Sequence, residues 1–358
     1  MQRHQKILLW SIIGVIIGLI ALLVWFFSPV QFVAVEPESS APEVLEPTAA
    51  LPIEGLVVAL AFSPDSQTLA VGAGNPRAKG SLTLWHLPEM QLSHTLAAEH
   101  DNPIWSVAFS PDGQILATGN QNNHIQLWDV QSGELLDSWQ QPTNSSDPKS
   151  VGKGALAVAF SPDGQHLASA GVDTVWLWDV TDGSLLLTIP NRESEVTFSP
   201  DGQLLATRSQ EGQIELWSVA EGQVVTAIAD ADPGMCPLVF SPNGQLIVSC
   251  QRRGSIQLFQ LPEGQAAGSL AGHSGGTTRV AFNPDGTILA SSGVDDQSGG
   301  GENVQPVSAP RLWQLDTGQS VQSFQSSTGF IRALAFSPDG QWLASGGTDS
   351  MVYLWAIK

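Results

Sequence analysis

The chain has 358 residues, of which 42% are apolar and only 13% charged, with 35 Gly and 23 Pro. That is long and apolar enough to bury a large core, and the Gly and Pro content suits a chain with many turns. The formal net charge of −20 repels phosphate backbones and anionic headgroups, so nucleic acid is excluded as a partner; the acidity serves solubility or attracts a basic partner.

In chain order, residues 1–6 carry Arg3 and Lys6, and Ile7 to Phe27 is a run of 21 residues without a charge. Such a run crosses a hydrocarbon core of about 30 Å as one helix. The alternative is a cleaved signal peptide, whose apolar region is shorter and ends at small residues. Here Trp25-Phe26-Phe27 closes the run and Phe32 lies two places before Ala34. Residues 7–27 therefore read as an uncleaved transmembrane anchor. After it the next basic residue is Arg77, with Glu36, Glu38, Glu43 and Glu46 between. Because Lys and Arg are retained in the cytoplasm, residues 1–6 are expected there and the rest beyond the membrane. This describes a single-pass protein of the plasma (inner) membrane with an extracytoplasmic or periplasmic domain. Without Arg3 and Lys6, that outer part has 14 − 2 = 12 basic against 34 acidic residues, a net −22. Residues 28–42, rich in Pro, Glu, Ser and Ala, read as an extended stalk.

From there one phrase returns seven times, at Phe62, Phe109, Phe160, Phe198, Phe240, Phe282 and Phe336, at intervals of 47, 51, 38, 42, 42 and 54 residues. A period of that size marks a repeat architecture. Each copy, such as Phe109-Ser110-Pro111-Asp112-Gly113, reads as a hairpin. Pro presets the first turn position, Asp or Asn suits the second, and Gly takes the left-handed one. Only Ser66 departs from that glycine. A third run ends in Leu84-Trp85, Leu127-Trp128, Leu177-Trp178, Leu216-Trp217, Leu258-Phe259, Leu312-Trp313 or Leu354-Trp355, and most copies continue into a fourth apolar run. Four strands per unit make a propeller blade. No stretch after residue 30 has sustained helical periodicity, so almost no helix is expected there.

The Trp128-Asp129 and Trp178-Asp179 pairs, Gly272-His273 nine residues before Phe282, and the Ser-Pro-Asp-Gly turns together resemble the WD-repeat family. The resemblance extends over residues 45 to 358. It implies an all-β domain, a seven-bladed β-propeller of four-stranded antiparallel blades, strands a to d, spanning residues 43–358. It also implies that the last blade is closed by the first strand of the domain, expected at about Glu43 to Leu51. The family's structural hydrogen-bonded set joins a Gly-His histidine, an Asp before strand c, a Ser or Thr on strand b and the strand c Trp. Thr118, Ser169, Thr207, Ser249, Ser291 and Ser345 match on strand b, and Val71 does not. His100 and His273 match the histidine, Asp349 the aspartate, and Trp128, Trp178, Trp313 and Trp355 the indole. Asp173 falls one place late, and Asp295 or Asp296 precedes an insertion. No blade clearly holds all four, so apolar packing is expected to hold the blades together, with both histidines structural.

The resemblance further implies that the Ser-Pro-Asp-Gly turns form the bottom face and the d-to-a and b-to-c loops the top, including the excursions at 140–154 and 293–310. The stalk is expected at the bottom. Top faces of such propellers bind partners near the start of strand a, where Trp105, Phe330 and Arg332 stand, with Arg192, Arg252 and Arg279 nearby. Aromatic and Arg side chains are common interface anchors; the competing role for Trp105 and Phe330 is packing between blades.

Cys236 and Cys250 flank the hairpin turned at Pro242-Asn243. Folding back brings them opposite or one place apart, as a disulfide or as two buried thiols. No nucleophile elbow, phosphate loop, His-Glu-x-x-His or clustered Cys/His set is present in the sequence, so no catalytic residue, cofactor or metal is expected. Asp295, Asp296 and Glu302 could supply oxygens to Ca²⁺, but their spacing matches no established calcium loop, and a solvated loop is the competing reading; Asp230 and Asp232 are weaker. The expected function is a membrane-tethered protein-interaction scaffold outside the cytoplasm. The alternative is an enzyme or small-ligand receptor using the central channel.

Overall fold

The computed structural model describes residues 44–75, 80–96, 103–142, 154–190, 192–234, 236–295, 307–325 and 329–357. The expected cytoplasmic segment, anchor and stalk (1–42), together with His100, Asp296 and Glu302, lie outside the described residues. Among the described residues no helix is long and apolar enough to cross a membrane, and all regular structure is strand.

Seven antiparallel sheets follow one another along the chain. The first is Val57–Phe62, Thr68–Gly74, Gly80–His86 and Gln91–Leu96, strands a to d of blade 1. Each strand a packs on the strand a of the next blade, and Ile331–Phe336 of blade 7 packs back on Val57–Phe62, so the ring closes. The apolar core is divided into seven layers, one between each pair of neighbouring blades. Leu84, Ile104, Leu116 and Trp128 belong to the layer between blades 1 and 2. Leu51, Val57, Leu69, Val352 and Leu354 belong to the layer between blades 7 and 1. Alternation along strands buried on both faces puts apolar side chains into both neighbouring layers.

The closing strand differs from the expectation of one run at Glu43 to Leu51. Strand β2 (Ala49–Pro52) completes blade 7, paired antiparallel with Met351–Ala356. Strand β1 (Val44–Leu45) instead adds a fifth, parallel strand to blade 6, with Val44 opposite Ser323 and Leu45 opposite Phe324. Pro47 lies between them and has no N–H to give a ladder. Thr48 resumes pairing on the other blade, donating its N–H to the Leu354 carbonyl at 2.7 Å.

The repeated turn is a side-chain network. In blade 2, Ser110 Oγ donates to Asp112 Oδ1 at 2.5 Å. Asp112 Oδ1 accepts from Gln114 N at 3.0 Å, and Ser110 Oγ accepts from Ile115 N at 2.9 Å. Blade 5 builds the same turn on Asn243, which accepts from Ser241 Oγ and Gln245 N. The glycine has φ +73° in Gly113, and a Cβ there would stand 3.3 Å from Pro64 Cδ of the preceding blade. The turns thus stack around the ring. Ser66, the one departure, adopts φ +61°, and its Oγ accepts from Asp339 N of blade 7 at 3.0 Å, a bond glycine cannot form.

In blade 5, strand a contracts to Val239–Phe240, since Pro233 and Pro237 remove donors upstream. Just before it, Cys236 is joined by a disulfide to Cys250, with Cα atoms 5.6 Å apart and both residues fully buried.

The turn geometry sets two expectations. Gly113→Ala forces a Cβ into left-handed backbone against Pro64 and lowers stability by about 1–2 kcal/mol, measured by urea unfolding. The serine hydroxyl and then the backbone N–H hold the carboxyls of Asp65, Asp112, Asp163 and Asp201 below the ordinary range, and Thr287 does so for Asp285. A depressed folded-state value stabilises the fold above the unfolded value of about 4 and is lost as pH falls through the folded values. Stability therefore declines below about pH 4. Asp112→Asn, which copies the Asn243 turn of blade 5, should leave unfolding at pH 7 nearly unchanged and make the acid decline shallower; an unaltered acid slope would refute the assignment.

Candidate functional site

Because consecutive strands are antiparallel, the strand a starts, the d-to-a connections and the b-to-c connections gather at one end of the ring. There a cavity of about 420 Å³ opens on the axis, lined by strand a residues or their flanks from every blade, among them Ala59, Trp105, Ala157, Glu195, Leu238, Arg279 and Ala333. Its charged lining residues are Glu195, Arg279 and Arg332.

These groups are unevenly partnered. Glu195 is held from behind by Arg208, whose Nε is 3.5 Å from Glu195 Oε2. Arg208 is fully buried and donates Nη1 to Asp230 Oδ2 at 2.8 Å. It also donates Nη2 to Ser249 Oγ at 2.9 Å, and Ser249 Oγ donates to Asp230 Oδ2 at 2.5 Å. This cluster ties strand b of blade 4 to strand b of blade 5. Arg279 donates to the Thr278 carbonyl at 2.7 Å. Among the described residues, neither Arg279 nor Arg332 has a carboxylate within ion-pair distance. Burial lowers the affinity of Arg279 for its proton, Glu195 opposes that effect, and Arg332 adds to it by repulsion. Trp105 has its indole N–H buried with no acceptor among the described residues.

Three of the six residues expected at the partner face, Trp105, Arg279 and Arg332, therefore meet at this cavity. The other three do not. Arg192 is paired with Glu215 at 2.7 Å and lies 5.2 Å over the Trp217 ring. Arg252 is exposed on the b-to-c turn of blade 5, donating to the Pro233 carbonyl at 3.2 Å and 3.9 Å from Asp232. Phe330 is 49% exposed, with its N–H donating to Thr348 Oγ1 and its carbonyl accepting from Thr348 N. Glu195 and Arg208 were not anticipated. The signal was there for Arg208: it follows the strand b hydroxyl where the other copies have Gly72, Gly119, Ala170, Cys250, Ser292 or Gly346.

The structural hydrogen-bonded set also corrects an expectation, since blade 6 holds all four members. Trp313 Nε1 donates to Ser291 Oγ at 2.7 Å. His273 Nε2 is 2.9 Å from Ser291 Oγ, and its Nδ1 is 3.0 Å from Asp295 Oδ2. With Nδ1 protonated, every donor finds an acceptor. The 296–306 insertion separates Asp295 from its tryptophan and hides the spacing. Burial opposes ionisation of Asp295, but His273 and Arg311 outweigh it and hold the carboxyl below the ordinary range. Elsewhere the set is partial. Trp128 donates to Thr118 at 3.1 Å and Trp178 to Ser169 at 2.8 Å. Asp349 accepts from the Tyr353 hydroxyl at 3.1 Å, while the Trp355 indole nitrogen has no partner among the described residues. Asp295 and Asp230 are thus engaged in internal pairing and not arranged to take a cation. Among the described residues no group of three His, Cys, Asp or Glu side chains is placed to hold a metal.

Seven four-stranded blades in a closed ring define a seven-bladed β-propeller. The family described as the IFT122 first beta-propeller matches residues 56–298, and the WD domain, G-beta repeat matches residues 318–356. The chain belongs to the WD-repeat β-propeller family. Telomerase protein component 1 of Mus musculus is 28% identical over 183 residues, 50% of this chain and 6% of that protein. The Periodic tryptophan protein 2 homolog of Schizosaccharomyces pombe is 32% identical over 108 residues, 29% of this chain and 12% of its own. An uncharacterized WD repeat-containing protein of Synechocystis sp. is 31% identical over 113 residues, 30% of each chain. The chain thus spans less than a third of the length of each of these relatives. WD-repeat propellers generally bind protein partners as non-enzymatic scaffolds.

For the cluster behind Glu195, Asp230→Ala strands a buried guanidinium and costs about 3–5 kcal/mol, whereas Arg208→Met combined with Asp230→Leu costs less than the single change. Urea unfolding of the three proteins checks it; a double variant less stable than Asp230→Ala would show that the pair is not coupled.

Proposed function

We propose that this protein is a membrane-tethered scaffold that binds a protein partner at the strand a end of its axial channel, outside the cytoplasm. The observation that carries this reading is the convergence of Trp105, Arg279 and Arg332 on one cavity, with both guanidinium groups outside any ion pair among the described residues. Arg and Trp are the side chains that most often anchor interfaces. The first described residues, Val44–Leu45, run along the outer edge of blade 6, away from the axial cavity. The uncharged run at residues 7–27, with Arg3 and Lys6 before it and the next Lys or Arg only at Arg77, supports the membrane placement.

The alternative, a channel-centred enzyme or small-ligand receptor, has a cavity of suitable size. Glu195 is the sole carboxylate among the lining residues and is already held by Arg208, which leaves no acid and base pair there among the described residues.

Affinity capture from detergent-solubilised membranes with the full-length chain tests the scaffold reading. Trp105→Ala should reduce the captured partner at least tenfold with the unfolding midpoint little changed, and a partner mapped to the Ser-Pro-Asp-Gly face would refute it. Deleting residues 1–27 should release the propeller from the membrane fraction.

A further inference from the structure

We propose that the channel mouth is a receptor for one acidic side chain, an Asp or Glu carried by an otherwise uncharged segment of a partner protein. This rests on the reading of the strand a end as the partner-binding end, and adds the chemistry that is recognised there.

The charges in and behind the cavity do not balance. Arg208, Arg279 and Arg332 face Glu195 and Asp230, three guanidinium groups against two carboxylates. Arg208 pairs with Asp230 and stands 3.5 Å from Glu195 inside the wall, Glu195 also acts on Arg279, and the one positive charge left over lies on the cavity side, at Arg279 and Arg332. Arg279 and Arg332 are close enough to repel one another. Arg279 is partly withdrawn from water without a carboxylate partner, which is costly, and a carboxylate in the mouth can bridge it to the exposed Arg332 through charge-assisted, forked hydrogen bonds. The buried Trp105 N–H, donor only, likewise lacks an acceptor among the described residues. The two guanidinium groups favour a negatively charged acceptor, and the Trp105 N–H an acceptor of either kind. A basic side chain would meet repulsion, and a neutral amide would satisfy geometry without charge.

The wider field limits how acidic the ligand is. The domain beyond residue 27 carries −22 (12 basic against 34 acidic residues), which repels a run of acids at long range. The cavity's single excess charge matches a single carboxylate. Salt screens the distant repulsion more than the close contact inside the channel, so affinity for such a segment holds or rises as salt increases.

The test uses the full-length chain in detergent and three pools of capped octapeptides with randomised uncharged flanks and a fixed central Glu, Gln or Lys. The Glu pool should be retained at least tenfold over the Gln and Lys pools, with no loss between 50 and 300 mM salt, salt levels spanning Debye lengths of roughly 14 to 6 Å. Arg332→Gln, at an exposed position, should remove most of that preference without moving the unfolding midpoint, and Arg279→Gln with Arg332→Gln should abolish it. Equal retention of Glu and Gln pools, or preference for Lys, would overturn the proposal. So would saturation by succinate with no Glu preference among the peptides, which assigns the mouth to a small free anion. Should a partner captured by the native chain stay bound to Arg332→Gln but leave Trp105→Ala, the scaffold reading stands and the acidic-residue reading fails.

Discussion

Ring closure is the constraint on which every other contact depends. A blade buries its two faces only when it has a neighbour on each side, so an open row of seven would leave two apolar faces and their strand edges in water. The join is made by β2 on Met351–Ala356, and Ala356 N donates to Thr48 Oγ1 across a separation of 308 residues. Bringing such distant segments together costs on the order of 5 kcal/mol in chain entropy. Burial of Leu51 beside Val352 and Leu354 and the four-residue ladder offset it. The parallel β1 adds a second attachment on blade 6, so the entering chain is paired to blades 6 and 7 in turn before it forms blade 1. At the turn end, Ser66 accepts from Asp339 across the same seam. The one turn that gives up glycine is thus the one where closure offers its side chain a bond.

The same ring faces a polar difficulty at strand b, where six of seven blades bury a hydroxyl. A buried hydroxyl needs a partner, and five of the six find one from what their blade's sequence supplies, while Ser345 Oγ of blade 7 has none among the described residues. Blades 2, 3 and 4 use the strand c indole, and blade 6 extends that bond through His273 to Asp295. Blade 1 has Val71, and Trp85 turns to Thr83 on its own strand. Blade 5 has Phe259 for the tryptophan, which leaves Ser249 without an indole, and Arg208 and Asp230 occupy it. In blade 7 the indole of Trp355 is held by ring contacts with Phe324 and Tyr353 at 5.1 and 5.9 Å. One aromatic substitution in blade 5 therefore accompanies a buried ion pair that joins two blades, and the pair in turn fixes Glu195 on the channel wall.

What could be read from the sequence follows from what repeats. The seven turns, the four strands per copy and the closing strand were legible because local chemistry recurs: Pro, Asp and Gly at fixed offsets, and alternation that tolerates only one fold-back. The hairpin likewise brought Cys236 and Cys250 within reach while leaving their bonding open. Features made by single residues in unique surroundings were not legible. The complete set in blade 6 was hidden because an insertion breaks the spacing between Asp295 and Trp313. The two-residue β1 carries no pattern, and its parallel pairing depends on a blade 279 residues away (Val44 to Ser323, 323 − 44 = 279). For the candidate site, rank at the start of strand a located Trp105 and Arg332 but also Phe330, which is not at the cavity, and among the nearby arginines it could not separate Arg279 from Arg192, whose guanidinium turns to Glu215 and Trp217.

The contrast between the whole surface and the channel mouth gives the molecule its directional character. Acidic residues outnumber basic ones by 34 to 14, so carboxylates are plentiful for every cation, and Arg192, Arg208 and Arg311 have all taken one. That two arginines at the cavity have not, among the described residues, is a property of position: strand a faces the axis, where many of the neighbours are small apolar side chains such as Ala59, Ala157 and Ala333. Among the described residues, the only carboxylate lining the mouth, Glu195, is shared between Arg208 behind it and the field of Arg279. On the reading proposed above, a predominantly negative molecule then carries one excess positive charge at the mouth of its axis. Recognition at such a point discriminates by sign and by reach together, because only a narrow acidic group on an uncharged arm approaches the surface without repulsion and still enters the channel.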